Sequence, residues 1–591
     1  MFIGEEASVS DWGMIVSFLL GFSFQWVAKK LEKWNAALYG RLFAALIGAV
    51  WAWCGFVQGG LLQSVSMLGA FWLSYEVIPL PKRNRVPTYD IIAELQAKGA
   101  KEIVVPREKK RALLDIGFSA LFIGIAIPYF WIGSPSPVVE LFLLYGFLSM
   151  AAGLFKRMAL FRSLHLFYDQ NDHALYLISS VEAKRYPLDQ CVDIQVHTAP
   201  DILQLFHLFH LFSPHADYTV NMGKTWKLSF DGERVYLNPG SLASMNILPK
   251  PLSSQREIHI QPFYHPSNWK RLLGKAYFSA AVKGVGAYAA LLALLAYWKI
   301  DSITMIAAIL FFWTINLFIS DRVLKIALDM KPVTNPPIQH IIRTICARAG
   351  LPHLAVYTTE SSDYNGFAAG PYIGRSLIAL TSETLKLPHD ALAGVIAHEA
   401  VHVKKRDVLT AQLLQFAFIM VISSIIAGVY EAAAHWLETH RAATFLIGWT
   451  LIVLLYPAFR SWLVQWMEVR ADHLGATLLD GGNDQMANAL AILSKNQDQA
   501  IEQAHSYHID AKEKDDEEED AFAEDGSFTF EREDWFSRFS KFQLSPHPPM
   551  YWRIHSLRTT ETGWSTQKLR LWWRDCWRES LPDFVKEWLH I

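Results

Sequence analysis

The stretch of sequence that decides the fold reads His398-Glu399-Ala400-Val401-His402, and it follows the helix-favouring run 391–397. Residues four apart lie on one face of an α-helix, so both imidazoles can approach a single metal ion. Glu399 projects about 100° away from its neighbour and can therefore address a water molecule instead of the ion. The pattern predicts a helix that carries a catalytic zinc site.

A catalytic zinc ion normally has three protein ligands and leaves a fourth position to water, so a third ligand is expected downstream. The segment Glu468-Val469-Arg470-Ala471-Asp472 follows an apolar stretch and supplies carboxylates. We predict Glu468 as the third ligand. Asp472, one helical turn later, is expected to accept a hydrogen bond from the distal nitrogen of a ligand histidine. His473 is a competing ligand whose ring points off that face.

These residues also have a simpler interpretation. The two histidines could be hydrogen-bonded helix residues beside a membrane, and the two carboxylates could pair with Arg470 or Lys404 at its interface. The metzincin continuation, with a glycine and a third histidine after the motif, is absent because residues 403–407 read VKKRD. Carboxylate ligation is therefore favoured over a third histidine.

Composition indicates a membrane protein. Hydrophobic residues make up 52% of the 591 residues and charged residues only 19%, a balance that is unusual for a soluble enzyme or a disordered chain. The 54 basic and 56 acidic residues give a net charge of -2, so no global basic field exists to hold nucleic acid. The four cysteines form no CxxC pair, which disfavours disulfides and thiolate metal sites.

Nine apolar segments are long enough to span a bilayer, although eight remain possible because only residues 58–60 separate the second from the third. The acidic residues at the amino terminus disfavour a cleavable signal peptide. Loops rich in Lys and Arg fall on one side when nine crossings start outside, so the large polar segments are predicted to be cytoplasmic. The nine segments are 12–28, 42–57, 61–80, 113–131, 138–155, 277–297, 302–320, 411–430 and 442–459.

Residues 160–270 are predicted to form a small β-rich domain. Runs 192–196 and 226–230 alternate apolar with polar residues, and Asp231-Gly232 is a turn signal. The same region holds three histidines that could be read as a metal cluster, but bulky apolar neighbours favour a core-packing or membrane-surface segment. These histidines are His207, His210 and His215.

Residues 511–534 contain a block of acidic side chains that repel one another and cannot bury enough apolar area to order themselves. We expect a solvated, disordered insertion with no chemistry of its own. The spacing lacks the glycine and alternating ligands of an EF-hand loop.

HEAVH, two hydrophobic spans and then EVRAD resemble the membrane-bound gluzincin peptidases of the HtpX heat-shock and CAAX prenyl-protease type. Two further segments agree with that family. The stretch Asn365-Gly366-Phe367-Ala368-Ala369, followed by 378–381, resembles its NAF-type strand, and 545–549 with Arg553 resembles its C-terminal HPP-and-Arg segment. The four matches cover roughly residues 330–560 and leave the amino-terminal spans, the β-rich region and the acidic insertion unexplained.

The apolar segments, the strand patterns and the resemblance together predict a fold class: a polytopic α-helical membrane protein with an inserted β-rich soluble domain and a mainly α zinc peptidase domain. The gluzincin type of that last domain, with its small edge β-sheet, is what the resemblance implies. The expected order is an N-terminal transmembrane region of about five spans, the β-rich cytoplasmic domain, a transmembrane hairpin and the peptidase domain. The last of these includes the hairpin 411–459 and the insertion 511–534. The boundaries are 1–159, 160–270, 271–325 and 326–591.

The resemblance also implies site roles. One Zn²⁺ per chain is expected on His398, His402 and Glu468, with Glu399 as the general base and acid. His547 and Arg553 are candidates for stabilising the oxyanion, although His547 could simply cap a turn beside its prolines. The strand 365–369 is expected to pair with the substrate backbone.

The expected activity is zinc-dependent endoproteolysis of membrane-associated or misfolded proteins at the cytoplasmic face of a cell (inner) membrane. The implied partners are a peptide or membrane-protein substrate and the lipid bilayer, and no nucleic acid. Two alternatives stay open: a prenyl-protein protease of the CAAX type, and a non-enzymatic membrane scaffold with a structural zinc.

Overall fold

The computed structural model describes residues 88–132, 153–212, 215–244, 257–282, 298–371, 373–439, 455–509 and 535–589, together with short helical pieces within 16–71 and positions 150, 291 and 295. These ranges form a β-rich unit, a mainly helical unit that carries the His398–His402 motif, and long apolar helices. The acidic insertion 511–534 lies outside the described residues.

The helices of the described ranges are numbered along the chain. They are α1 (Thr88–Ala97), α2 (Lys109–Ile132), α3 (Ile202–Leu205), α4 (Trp269–Tyr277), α5 (Ser302–Ala327), α6 (Pro336–Arg348), α7 (His389–Lys405), α8 (Asp407–Thr439), α9 (Tyr456–Ala476), α10 (Gly482–Ser506), α11 (Trp535–Gln543), α12 (Met550–Thr559), α13 (Thr566–Glu579) and α14 (Asp583–Leu589). The strands are β1 (Lys101–Ile103), β2 (His165–Asp169), β3 (Ala174–Ile178), β4 (Ala183–Pro187), β5 (Asp193–His197), β6 (Ala216–Tyr218), β7 (Thr225–Phe230), β8 (Glu233–Leu237), β9 (Lys331–Pro332), β10 (Ala355–Thr359), β11 (Gly366–Ala369) and β12 (Leu377–Thr381).

Helix α7 lies at the centre of the helical unit. It is apolar on nearly every side, and Leu392, Ile396 and Ala400 have no exposed surface. A helix that is hydrophobic all round must be covered on all sides, and here α6, α9 and α10 pack against it. Helix α6 begins with Pro336 and Pro337, which suit a first turn because its N–H groups have no helical partner.

A four-stranded sheet covers the remaining side of α7, in the order β11-β12-β10-β9. Strands β10 and β12 are parallel, and the other two pairs are antiparallel. Every residue of β12 is buried, as expected for a strand that is covered on both faces. Strand β11 therefore forms one edge of the sheet beside the catalytic helix.

The β-rich unit consists of two four-stranded sheets, β1-β2-β3-β4 and β5-β7-β8-β6, whose apolar faces share one core. The alternating runs in the sequence form β5 and β7, as expected. The turn signal Asp231-Gly232 joins β7 to β8, with Gly232 at a φ of +78°, which a glycine adopts without strain. Strand β1 lies before residue 160 and still pairs with β2, so the sheet begins earlier than the sequence boundary.

The histidine-containing segment at 202–212 packs as core, the simpler of its two interpretations. Phe206 and Phe209 are buried and contact Phe118 and Phe122 of α2. The hydroxyl of Ser279 donates a hydrogen bond to the carbonyl of Leu208 at 2.8 Å. Aromatic packing therefore fixes this segment on the apolar helices.

Ion pairs hold the β-rich unit on the helical unit. Lys227 lies 2.6 Å from Glu360, and Arg234 lies 2.8 Å from Glu383, with both cationic side chains buried. The backbone N–H of Arg185 also donates to the carbonyl of Tyr507, just beyond α10, at 2.8 Å. The chain just after α10 thus pairs alongside β4.

Within the described ranges, one helix has both the length and the apolar composition needed to cross a bilayer, Ala307–Ala327. It lies in α5 and overlaps the predicted span 302–320. The predicted spans 113–131 and 411–430 coincide with parts of α2 and α8. The other six predicted spans are described only in part, so nine crossings stay a prediction.

Candidate active site

Close helix packing brings the ligand residues together. A Cβ added to Gly394 of α7 would lie 2.4 Å from the Cβ of Ala489 in α10, and one added to Gly475 of α9 would lie 3.2 Å from the backbone nitrogen of His398. Such distances leave room only for a hydrogen at these two positions. The two glycines therefore let α9 and α10 approach α7 closely enough for their side chains to meet.

The three predicted metal ligands converge. The Nε2 atoms of His398 and His402 are 3.0 Å apart, and the Glu468 oxygens lie 3.5 Å and 3.3 Å from them. One ligand atom from each residue falls within 4.8 Å of the others. Two imidazole nitrogens this close repel through their lone pairs unless a proton or a cation lies between them. Two nitrogens and one carboxylate match the donor set of a catalytic zinc site, so the residues fit the ion.

Two carboxylates orient the two imidazoles. An oxygen of Asp472 lies 2.9 Å from Nδ1 of His398. His402 Nδ1 lies 2.8 Å from Asp407, a residue that the sequence reasoning missed. When Nδ1 carries the proton and faces a carboxylate, Nε2 is left with its lone pair directed at a metal.

Asp407 reaches His402 because the chain turns sharply after α7. Arg406 adopts a left-handed conformation, with φ of 55°, and α8 begins at the next residue. The carboxylate of Asp407 is buried and also forms an ion pair with Arg470, whose guanidinium lies over the ring of Trp466. The only signal in the sequence was an acidic residue five positions after the second histidine.

Arg553 anchors the carboxylates. It is buried, its guanidinium donates to both oxygens of Asp472 at 2.8 Å and 2.7 Å, and it lies 3.3 Å from Glu468. Burial favours the neutral carboxyl of Asp472, but the charge of Arg553 outweighs it and lowers the pKa of Asp472 to about 2. Arg553 thus holds Asp472 ionised and in position.

The electrostatics of the site favour an ionised Glu468. Burial alone would raise its pKa, but the adjacent His547 and the two ligand imidazoles hold that pKa well below its usual range. His547 lies with Nδ1 3.0 Å from a Glu468 oxygen, and its side chain is 61% exposed. His547 therefore lies at the exposed side of the ligand group.

Glu399 and His473 complete the account of the predicted residues. Glu399 is buried and follows His398 on α7, outside the group of converging ligand atoms. His473 instead contacts the hydroxyl of Ser556 at 3.2 Å, away from the ligand group.

The predicted substrate strand lies beside this site. Gly366–Ala369 forms β11, and the carbonyl of Asn365 accepts a hydrogen bond from the backbone N–H of Thr381 at 3.0 Å. A Cβ on Gly366 would lie 3.4 Å from Val395 of α7. The edge strand therefore lies directly against the catalytic helix.

Comparisons with known proteins agree with this geometry. Residues 332–561 match the model of peptidase family M48, and residues 165–250 match that of a bacterial PH domain. A protein named Protease HtpX from Pasteurella multocida is 30% identical over 194 residues, which cover 31% of this chain and 67% of that protein. Proteins of the same name from Tolumonas auensis and Xanthomonas oryzae are 30% and 27% identical, and the matches cover 26% and 31% of this chain and 55% and 68% of theirs.

The His-His-Glu group lies inside the matched range, and the PH-like match coincides with the β-rich unit. The M48 peptidases are metal-dependent, and the converging donor set fits that requirement. The chain therefore belongs to peptidase family M48 and is an HtpX-like metalloprotease.

Proposed function

We propose that this protein is a zinc-dependent integral-membrane endopeptidase that cleaves membrane-associated or misfolded proteins at the cytoplasmic face of the membrane. The convergence of His398, His402 and Glu468 beside an edge strand is the observation that carries the proposal. Zinc is favoured because two imidazoles and one carboxylate form the ligand set of many zinc hydrolases.

Glu399 has the position of the general base. Zinc held by the three ligands would lower the pKa of a bound water to about 7 and polarise the scissile carbonyl. Glu399 would accept the proton of the attacking water and return it to the leaving amine. Its side chain is buried, which shields the transfer from bulk solvent.

His547 and Arg553, both predicted to stabilise the oxyanion, differ in their surroundings. His547 is exposed at the edge of the ligand group, so it can donate to a substrate oxyanion. Arg553 is 6% exposed, and Asp472 and Glu468 occupy its guanidinium. We therefore assign the oxyanion role to His547 and a positioning role to Arg553.

The edge strand β11 is the proposed binding surface for substrate. A peptide that pairs with it is held largely by main-chain hydrogen bonds, and such binding is permissive toward sequence. Permissive binding suits a protease that removes damaged proteins of many kinds.

Membrane attachment is inferred from several apolar helices together. The helix Ala307–Ala327 ends four residues before β9, so a bilayer around it would lie close to the peptidase sheet. The basic residues that flank the nine predicted spans support a cytoplasmic peptidase domain. We propose a multi-pass protein of the cell (inner) membrane on these grounds.

The direct test compares Glu399→Gln with the parent in detergent, using zinc content and cleavage of casein. Loss of the general base should lower cleavage by about 10²- to 10⁴-fold while one zinc per chain is kept. Glu502→Gln, the same change on the exposed surface of α10, is the matched control and should leave both unchanged. Glu468→Ala should lose both zinc and cleavage.

Two results would count against the proposal. Cleavage by Glu399→Gln at the parental rate would refute the role of Glu399 as the general base. Cleavage of a prenylated peptide but not of casein would instead identify a prenyl-protein protease.

A further inference from the structure

Phe212 connects the β-rich unit to the proposed substrate strand. The centroid of its ring lies 5.9 Å from that of Phe367 in β11, with the rings tilted by 49°. Both side chains are partly exposed. The PH-like match includes Phe212, and the M48 match includes Phe367, so the contact joins two separately recognised parts of the chain at the edge of the sheet.

The register of the sheet shows which face the two phenylalanines occupy. Phe367 pairs with Ala379, and Ala379 pairs with Tyr357, so these three side chains form one row across the sheet. This row packs with Leu324 and Met330, at and just after the end of α5. The neighbouring row, which includes Ala368, packs on the other face in the core around α7.

The residues just before Phe212 are fixed by packing and by a hydrogen bond. Phe209, three residues earlier, is buried among Phe118, Phe122 and Phe206, and the preceding carbonyl of Leu208 is hydrogen-bonded to Ser279. The short segment 209–212 therefore runs from the apolar helices to the edge strand. Its position is determined by packing and not by Phe367 alone.

A peptide on the free edge of β11 would extend the row formed by Tyr357, Ala379 and Phe367. Among the described residues, only β12 pairs with β11, so the other edge is open to a peptide. Side chains directly opposite each other in antiparallel strands have Cβ atoms about 4.5 to 5.5 Å apart. One side chain of the peptide would therefore contact Phe367 and Phe212, while its two neighbours would point toward α7.

We propose that Phe212 and Phe367 form an apolar subsite that selects an aromatic or large aliphatic side chain at one position of an extended substrate peptide. The β-rich unit thereby takes part in substrate selection. This inference rests on the proposed endopeptidase function and specifies its substrate class: extended segments with an apolar side chain at a fixed distance from the cleaved bond. Misfolded membrane proteins expose many such segments.

The experiment uses one peptide that the full-length protein cleaves. Each residue near the cleaved bond is replaced in turn by Phe, Ala or Asp, and kcat/KM is measured for the parent, Phe212→Ala, Phe212→Arg and Leu211→Ala. The last is the matched control, because Leu211 is 44% exposed on the same segment. Binding of the same peptides is also measured, by fluorescence anisotropy, with each of these proteins carrying Glu399→Gln in addition. This measurement gives the side-chain preference of the subsite without cleavage of the peptide.

The parent should prefer Phe over Ala by at least about tenfold at one position, the usual discrimination of an apolar pocket. Phe212→Ala should lose this preference at that position alone and keep the parental preferences at the other positions. Phe212→Arg should favour Asp there, a gain that loss of stability cannot produce. Leu211→Ala should keep the parental preference in both cleavage and binding.

The proposed subsite would be refuted if Phe212→Ala changed kcat/KM by the same factor for all peptides, or did not change it for any. The proposed function fails separately, when the parent cleaves no peptide or when Glu399→Gln cleaves as fast as the parent. In that case, the binding series still decides whether Phe212 selects the side chain.

Discussion

Replacing Asp407 with Asn should weaken zinc binding without removing the ligands. The carboxylate of Asp407 accepts the Nδ1–H of His402 at 2.8 Å and also holds Arg470. Asn keeps the size and one acceptor oxygen but loses the charge that makes the imidazole more basic. Changes to such orienting groups typically cost 10- to 100-fold in metal affinity, or about 1.4 to 2.8 kcal/mol.

The assay is competition for zinc against a chelator of known affinity, with the purified full-length protein in detergent. Asp390→Asn is the matched control, because Asp390 is an exposed acidic residue in the first turn of the same helix. The control should bind zinc as the parent does, and Asp407→Asn should bind at least tenfold more weakly. Equal affinity of Asp407→Asn and the parent would show that His402 is oriented without this carboxylate, and the reasoning would be refuted.

Two further predictions concern stability. Burial would raise the pKa of Glu360, but the charge and hydrogen bond of Lys227 outweigh it and lower that pKa to about 2. The ionised carboxylate therefore stabilises the fold above pH 4.5, and this stabilisation is lost as the pH falls toward 2. The free energy of unfolding should depend less on pH over this window in Glu360→Gln, and an unchanged pH profile would contradict the assignment. Gly394→Ala should destabilise the protein by about 1 to 3 kcal/mol, measured by denaturant unfolding, because its Cβ overlaps that of Ala489. Gly428→Ala, in a helix with open space at that position, should cause no such loss, and equal effects of the two would argue against close packing.

The sequence was most informative where function depends on local spacing. Residues four apart on a helix must share a face, so spacing alone pairs His398 with His402, and the same reasoning links Glu468 to Asp472. Alternating runs likewise identify β5 and β7. The meeting of α7 with α9 was predicted from the need of a catalytic zinc for a third ligand, and the family resemblance agreed with it, because spacing within one helix gives no information about another helix.

The residues that were missed depend on tertiary structure. Asp407 lies beyond the end of α7 and returns to His402 only through the left-handed turn at Arg406. Phe212 was also missed; it meets Phe367 of the predicted substrate strand because the β-rich unit packs on the helical unit through ion pairs. Neither the contact of Asp407 with His402 nor that of Phe212 with Phe367 can be predicted from helical or strand periodicity. The number of membrane spans stays a prediction, since most of them lie outside the described residues.

X-ray absorption at the zinc edge of Glu399→Gln, loaded with one equivalent of zinc, tests the central claim most directly. We expect one tightly bound zinc per chain with two imidazole nitrogens at about 2.0 Å and carboxylate oxygen ligation, and loss of this signal in Glu468→Ala. A sulfur ligand, or an unchanged spectrum in Glu468→Ala, would contradict it.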